Sequence, residues 1–200
     1  FTVNSGEYKL MGLAPYGNPE SPETLNFIKI IKDELVDIKA DGSIWLNQSY
    51  FNYATGLRMV FDSKWDKLFG FKKRLEEDAL EQKHCNLALA IQIVTEEIVI
   101  QMAKEAKRIT GAKHLCMAGG VALNCVANGK LLLEDLFEEI YIQPASGDAG
   151  GSLGAAYAIN HMYFAEVRLI TQEYDHMNGS YLGPEYSSKE IQLMNRKVKA

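Results

Sequence analysis

An α/β fold is predicted by three features of this chain. A short apolar strand at His114–Met117 runs straight into Gly119-Gly120 and then into a helical stretch. A second strand at Glu139–Ile142 runs into Pro144-Ala145-Ser146-Gly147-Asp148 and another helical stretch. A long helical period precedes both. Helices alternating with strands predict α/β layering over a twisted sheet. Ligands of such sheets lie beyond the carboxyl ends of the strands, where both glycine turns fall.

The elements follow in order. Residues 4–19 carry Gly6, Gly12, Pro15, Gly17 and Pro19 and read as loop and turn. Ser21-Pro22-Glu23 reads as a helix start, with a Ser cap, Pro in the first turn and an acid at the positive helix end. Leu25, Ile28, Ile31 and Leu35 continue it at helical spacing. Residues 36–38 and 43–46 flank Asp41-Gly42, a hairpin signal. Residues 47–58 read as an irregular loop with exposed aromatics, and 64–69 as a short helix. The long helix spans 83–110, with Leu87, Ile91, Val94, Ile98 and Met102 as its apolar set and Gly111 at its end. After the first strand, 123–136 reads as helix. After the second, 150–164 reads as a helix rich in Ala and Gly. Residues 181–184 are extended, and Ser187-Ser188-Lys189-Glu190 caps a final helix.

Composition narrows the function classes. The 200 residues carry 21 basic and 26 acidic side chains, a net charge of −5, with 47% apolar types, as in an ordinary soluble domain or one large lobe. The acidic balance argues against a general nucleic-acid binder, which needs a basic footprint. The densest basic run, Lys72-Lys73-Arg74, is followed by Glu76, Glu77 and Asp78 and reads as a solvated face. Cys85, Cys116 and Cys125 are an odd set without metal-ligand spacing and read as buried free thiols in a reducing cytosol. No signal peptide is visible, and the apolar runs are shorter than the ~20 residues of a membrane span. A cytoplasmic location without membrane contact is expected. The chain opens on Phe1 rather than Met, as a fragment would.

The glycine turns carry the chemistry. In Cys116 to Asn124, "CMAGGVALN", two adjacent glycines let backbone approach a ligand without a Cβ. The helix that follows offers free N–H groups and a positive dipole end, which suit an anionic or nucleotide ligand. Asn124, in its first turn, can donate and accept hydrogen bonds. A tight strand-to-helix turn alone also explains the glycines. "PASGDAGGSLGAA" repeats the arrangement. Its Asp148 is either a helix N-cap or a carboxylate aimed at a metal or phosphates. Gly154 and Ala155 suit close helix packing. Two such turns in one sheet imply one site built from two loops. A third segment, "GEYKLMGLAPYGNP", offers Glu7 and a Lys9 beside a glycine turn, either a point charge for a phosphate or carbamoyl group or a plain surface lysine.

With "GEYKLMGLAPYG", "GGVALNCVANGKL", "PASGDAGGSLGAA" and "YLGPEYSSKEI" in this order, the chain resembles the O-carbamoyltransferase family of nodulation protein U and the antibiotic carbamoyltransferases. The resemblance implies a ribonuclease H-like lobe of the actin/sugar-kinase/Hsp70 superfold, with an inserted hairpin and helices. Residues 1–180 would form its C-terminal part, and 181–200 the start of a linker toward an absent YrdC-like domain. That domain would make carbamoyl-adenylate from ATP and carbamoyl phosphate. The lobe would pass the carbamoyl group to a hydroxyl of a sugar or other natural product. The resemblance further implies Asp148 as ligand of an iron-type divalent metal. It implies nucleotide contacts by Glu7, Lys9, Gly17, Gly119, Gly120, Asn124, Ser146, Gly147 and Gly151.

One departure is large. The family's metal site also takes two His four apart, and His84, His114, His161 and His176 offer no such pair. The fragment alone is expected to be inactive. Two rivals stay open, beside a third reading in which the piece is only a packing lobe with no retained ligand site. One is a tRNA threonylcarbamoyl transferase-like enzyme, which the acidic charge and the "APYG" ending disfavour. The other is a nucleotide-binding regulatory module of the same superfold.

Overall fold

The computed structural model describes residues 6–75, 77–169 and 177–198. Glu76 and His176 lie outside them. The chain forms two compact units, Phe1–Ala149 and Gly150–Ala200. The first begins with α1 (Glu7–Leu13) and a 3-10 turn, Ala14–Tyr16. Next come α2 (Pro22–Ile30), which widens into a π turn over Ile31–Leu35, and the hairpin β1 (Val36–Ile38) and β2 (Ile44–Leu46). Then follow α3 (Asp62–Phe69), α4 (Gln82–Thr110), β3 (His114–Met117), α5 (Cys125–Leu133) and β4 (Glu139–Ile142). The second unit contains α6 (Gly151–Ala158), continued as a π turn over Ile159–Tyr163, and α7 (Ser188–Val198).

Most local signals read from the sequence are found where expected. Ser21 Oγ accepts the Thr24 amide at 3.0 Å and caps α2. Asp41 Oδ1 accepts the Ser43 amide at 3.0 Å in the hairpin turn. Gly111 ends α4. Ser187 and Glu190 exchange hydrogen bonds of 2.8 and 3.3 Å in a capping box at α7.

The first segment differs. Residues expected as loop form α1, because Glu7 to Met11 are adequate helix formers and the helix packs on α4, with Leu10 and Leu13 half-buried. That burial outweighs the cost of about 1 kcal/mol for a glycine inside a helix. α5 is also shorter than the expected 123–136. Gly120–Leu123 is a separate 3-10 turn, Asn124 is the N-cap, and the left-handed Asp135 lies just beyond its end.

α4 organises the first unit. Its Ala90 and Val94 pack against Phe27, Ile31, Leu35, Val36 and Phe69, where Phe27 and Phe69 meet edge-on at 5.7 Å. Further along, Val99 and Ala103 pack against Ala127, Leu131 and Phe137. The buried face therefore shifts along the helix, and Met102, expected in the apolar set, is exposed. Among the described residues α4 is the one helix long and apolar enough to cross a membrane. It is a core helix here, lying between two apolar clusters.

β3 and β4 pair in parallel, from His114↔Glu139 to Met117↔Ile142. Leu115, Met117 and Ile140 turn toward the α4–α5 cluster. Side-chain alternation then puts Cys116 and Tyr141 on the exposed face. None of the three cysteines is buried as expected: Cys85 is half-buried, Cys116 and Cys125 are exposed, and all are free. The described residues form two two-stranded sheets rather than one wide layered sheet.

Candidate functional site

Because β3 and β4 are parallel and in register at Met117↔Ile142, the chain leaves both at one sheet edge. The two glycine turns meet there. Gly119 N–H donates to the Ser146 carbonyl at 2.7 Å. A Cβ placed on Gly147 would lie 3.7 Å from Leu123 and 3.9 Å from Gly120. Gly119 has φ 96° and ψ 164°, a conformation nearly confined to glycine. A Cβ on Gly119 or Gly120 would meet nothing within 4 Å, so both present open backbone. The two glycine turns expected to lie together are therefore neighbours in the fold.

Asn124 closes the first turn. Its Oδ1 accepts the Ala127 amide at 3.1 Å, which caps α5, and Gln92 Nε2 at 3.1 Å. Its Nδ2 donates to Gln92 Oε1 at 3.0 Å. Gln92 in turn reaches Glu96 at 2.8 Å, and Glu96 pairs with Lys130 of α5. Asn128 Nδ2 donates to the Ala122 carbonyl at 2.8 Å and braces the same turn.

In the second turn the Ser146 hydroxyl is buried and has no hydrogen-bond partner among the described residues. Asp148 is exposed in the 3-10 turn Asp148–Gly150. The N-cap of α6 is Gly150, with no side-chain cap, so the capping role that would by itself explain an acid at 148 is not filled. The described residues contain no group of three His, Cys, Asp or Glu able to hold a metal ion. They do not compose a metal centre alone. Gly151 opens α6 in the second unit.

The "LAPYGN" segment is clamped to α4. Asn86, 3% exposed, accepts the Asn18 amide at 2.9 Å and donates to Glu23 at 2.7 Å. Gln82 Nε2 donates to the Tyr16 carbonyl at 2.9 Å. Gly17 lies so close that a Cβ would meet Leu89 Cβ at 2.6 Å and the Cys85 carbonyl at 2.7 Å. Leu89 and Gln92 are three residues apart, a rise of about 4.5 Å along the helix. α4 thus brings Gly17 and Asn124 to neighbouring turns. Glu7 and Lys9 are exposed on α1, where Lys9 Nζ lies 5.9 Å from the Tyr8 ring centre. Lys9 belongs to a helix surface rather than to a glycine turn.

The start of α4 carries a titratable cap. His84 Nδ1 accepts the Glu81 amide at 2.9 Å. Burial, and then the Lys83 charge, hold His84 below its ordinary value of 6.5 and favour the neutral ring that this bond requires.

Residues 1–157 match the Carbamoyltransferase N-terminus family. The chain belongs to the carbamoyltransferase family. It is 50% identical over 192 residues to an uncharacterized protein of Synechocystis sp., covering 96% of this chain and 30% of that protein. It is 36% identical over 155 residues to nodulation protein NolO of Bradyrhizobium diazoefficiens, covering 77% of this chain and 25% of that protein. Nodulation protein U of the same organism is 29% identical over 105 residues, 52% of this chain and 18% of that protein. The chain thus spans less than a third of the length of each.

This carbamoyltransferase chain also holds residues that sequence reasoning missed. Asn86, Gln92 and Glu96 are buried polar side chains of α4. The signal was present: Gln92 and Glu96 fall between Ala88, Val99 and Ala103 at steps of four, four, three and four, on a stripe that is otherwise apolar.

Proposed function

We propose that these residues are part of an ATP-dependent O-carbamoyltransferase, in which the joined glycine turns hold the nucleotide end of carbamoyl-adenylate. The observation that carries this reading is the Gly119–Ser146 hydrogen bond, which unites two open backbone turns at the carboxyl edge of parallel strands. Open glycine backbone beside a helix N-terminus suits a phosphate-bearing ligand. Gly120, Ser146 and Gly147 would border the nucleotide, with Asn124 at one side and Gly17 packed against the adjoining turn of α4. Glu7 and Lys9 are further proposed contacts. A hydroxyl of a sugar or other natural product attacks the carbamoyl carbon, a new C–O bond forms, the bond to the phosphate oxygen breaks as AMP departs, and the hydroxyl proton is released to solvent. Amide donors of the turns favour the charge left on that phosphate.

The same reading gives the parent protein a ribonuclease H-like lobe of the actin/sugar-kinase/Hsp70 type, a YrdC-like domain that makes the adenylate from ATP and carbamoyl phosphate, and a cytoplasmic location. Asp148 would contribute one carboxylate to an iron-type metal whose other ligands lie outside the described residues. The test is calorimetric binding of AMP to the full-length protein. Gly120→Val is expected to abolish binding by filling the open backbone face. Equal AMP affinity in the variant would refute the site.

A further inference from the structure

The nucleotide reading uses Asn124 but leaves the buried chain behind it without a role. That chain runs from Asn124 to Gln92, from Gln92 to Glu96, and from Glu96 to Lys130. Gln92 and Glu96 are 6% and 4% exposed.

The hydrogen-bonding capacities fix its direction. A primary amide has two N–H donors and one carbonyl oxygen with two lone pairs, whereas a carboxylate only accepts. Glu96 therefore obliges Gln92 to turn Nε2 toward it. Both Gln92 N–H groups are then used, one on Glu96 Oε1 and one on Asn124 Oδ1. Gln92 Oε1 is left facing Asn124 Nδ2 and accepts from it. Asn124 Oδ1 is filled by Gln92 and by the Ala127 amide. One N–H of Asn124 remains without a partner among the described residues. Lys130 Nζ donates to the other Glu96 oxygen, so both oxygens of that side chain act as acceptors.

We propose that Gln92, Glu96 and Lys130 are positioning residues that hold Asn124 as a one-proton donor toward an acceptor atom of the bound nucleotide. The proposal rests on the nucleotide reading above and deepens it. Considered alone, an asparagine can give or take a hydrogen bond; with its oxygen filled from within, this one only gives. It therefore selects a phosphate, carbonyl or ring-nitrogen acceptor.

The test combines AMP calorimetry on the full-length protein with the side-chain amide resonances of selectively labelled asparagine. Asn124→Ala should weaken AMP binding about tenfold. Gln92→Met, similar in size but without an amide, should weaken it comparably and shift the Asn124 amide resonances. The double variant should bind no worse than Asn124→Ala, because the two residues act as one unit. Glu96→Gln keeps the shape and removes the acceptor-only group. It should also shift the Asn124 resonances, and it carries the test if Gln92→Met fails to fold. Normal AMP binding in Gln92→Met beside a loss in Asn124→Ala overturns the relay and leaves the nucleotide reading standing. Losses that simply add in the double variant overturn it too. Normal binding in Asn124→Ala overturns the nucleotide role of Asn124 and the relay with it.

Discussion

The amide of Gly119 is held by the carbonyl of Ser146 at 2.7 Å, across two turns separated in sequence by all of α5 and β4. This one bond ties the turn after β3 to the turn after β4. It also fixes Gly119 in a backbone conformation that other residues avoid, while its neighbour Gly120 has room for a side chain and no such strain.

Gly119→Ala should therefore cost about 1–3 kcal/mol of stability through backbone strain alone, with no steric clash to add to it. Gly120→Ala should leave stability within about 0.5 kcal/mol, as at other open positions. Urea unfolding of the two variants separates these outcomes. Equal midpoints would remove the argument from Gly119 geometry.

Gly17 is constrained differently. Its φ is an ordinary −75°, but a Cβ would press on the Cys85 carbonyl and on Leu89. Gly17→Ala should destabilise by about 1–3 kcal/mol, because helix backbone must shift to admit the methyl group. Gly12→Ala, inside α1 with nothing within 4 Å, should instead stabilise by about 0.5–1 kcal/mol. Opposite signs in one denaturation series are the expected result. Matching signs would contradict the packing.

Legibility followed the range of the interaction. The hairpin, the Ser21 cap and the Gly111 stop rest on contacts within a few residues, and the sequence alone revealed them; β3 and β4 pair across 25 residues, but their short apolar runs ending in glycine turns marked their bounds. α1 was not legible, since its glycines argue for a loop and only burial against α4, about 70 residues on, decides for helix. The same holds within the site. Gly119 and Asn124 stand in readable motifs, whereas Gln92 gains meaning only once Asn124 is found to touch it from 32 residues away. The cysteines were misread because thiol burial depends on which strand face Cys116 takes and on Cys125 opening α5.

The Glu81–His84 cap makes the start of α4 pH-sensitive. Burial and Lys83 lower the His84 value in the fold, with Glu81 and Asp78 opposing and Arg74 assisting. A lowered folded value means that the unfolded chain takes up the proton first as pH falls. Stability from the cap is fully present above the ordinary 6.5 and is lost as pH drops through the lower folded value. His84→Gln can still accept the Glu81 amide but does not titrate, so it should flatten the stability–pH curve in that window. A curve unchanged by the substitution would show that other groups govern it.

Asp148 offers the cleanest separation of folding from chemistry. It is exposed, and among the described residues its carboxylate does not cap α6, so little stability rests on it. Asp148→Ala should leave the unfolding midpoint of the full-length protein unchanged within about 0.5 kcal/mol. Carbamoyl transfer, followed as AMP release dependent on ATP, carbamoyl phosphate and a hydroxyl acceptor, should be abolished. Bound iron, measured on the purified protein, should fall as well. A variant that folds normally and retains full transfer would leave Asp148 as an ordinary surface acid and overturn its proposed metal role.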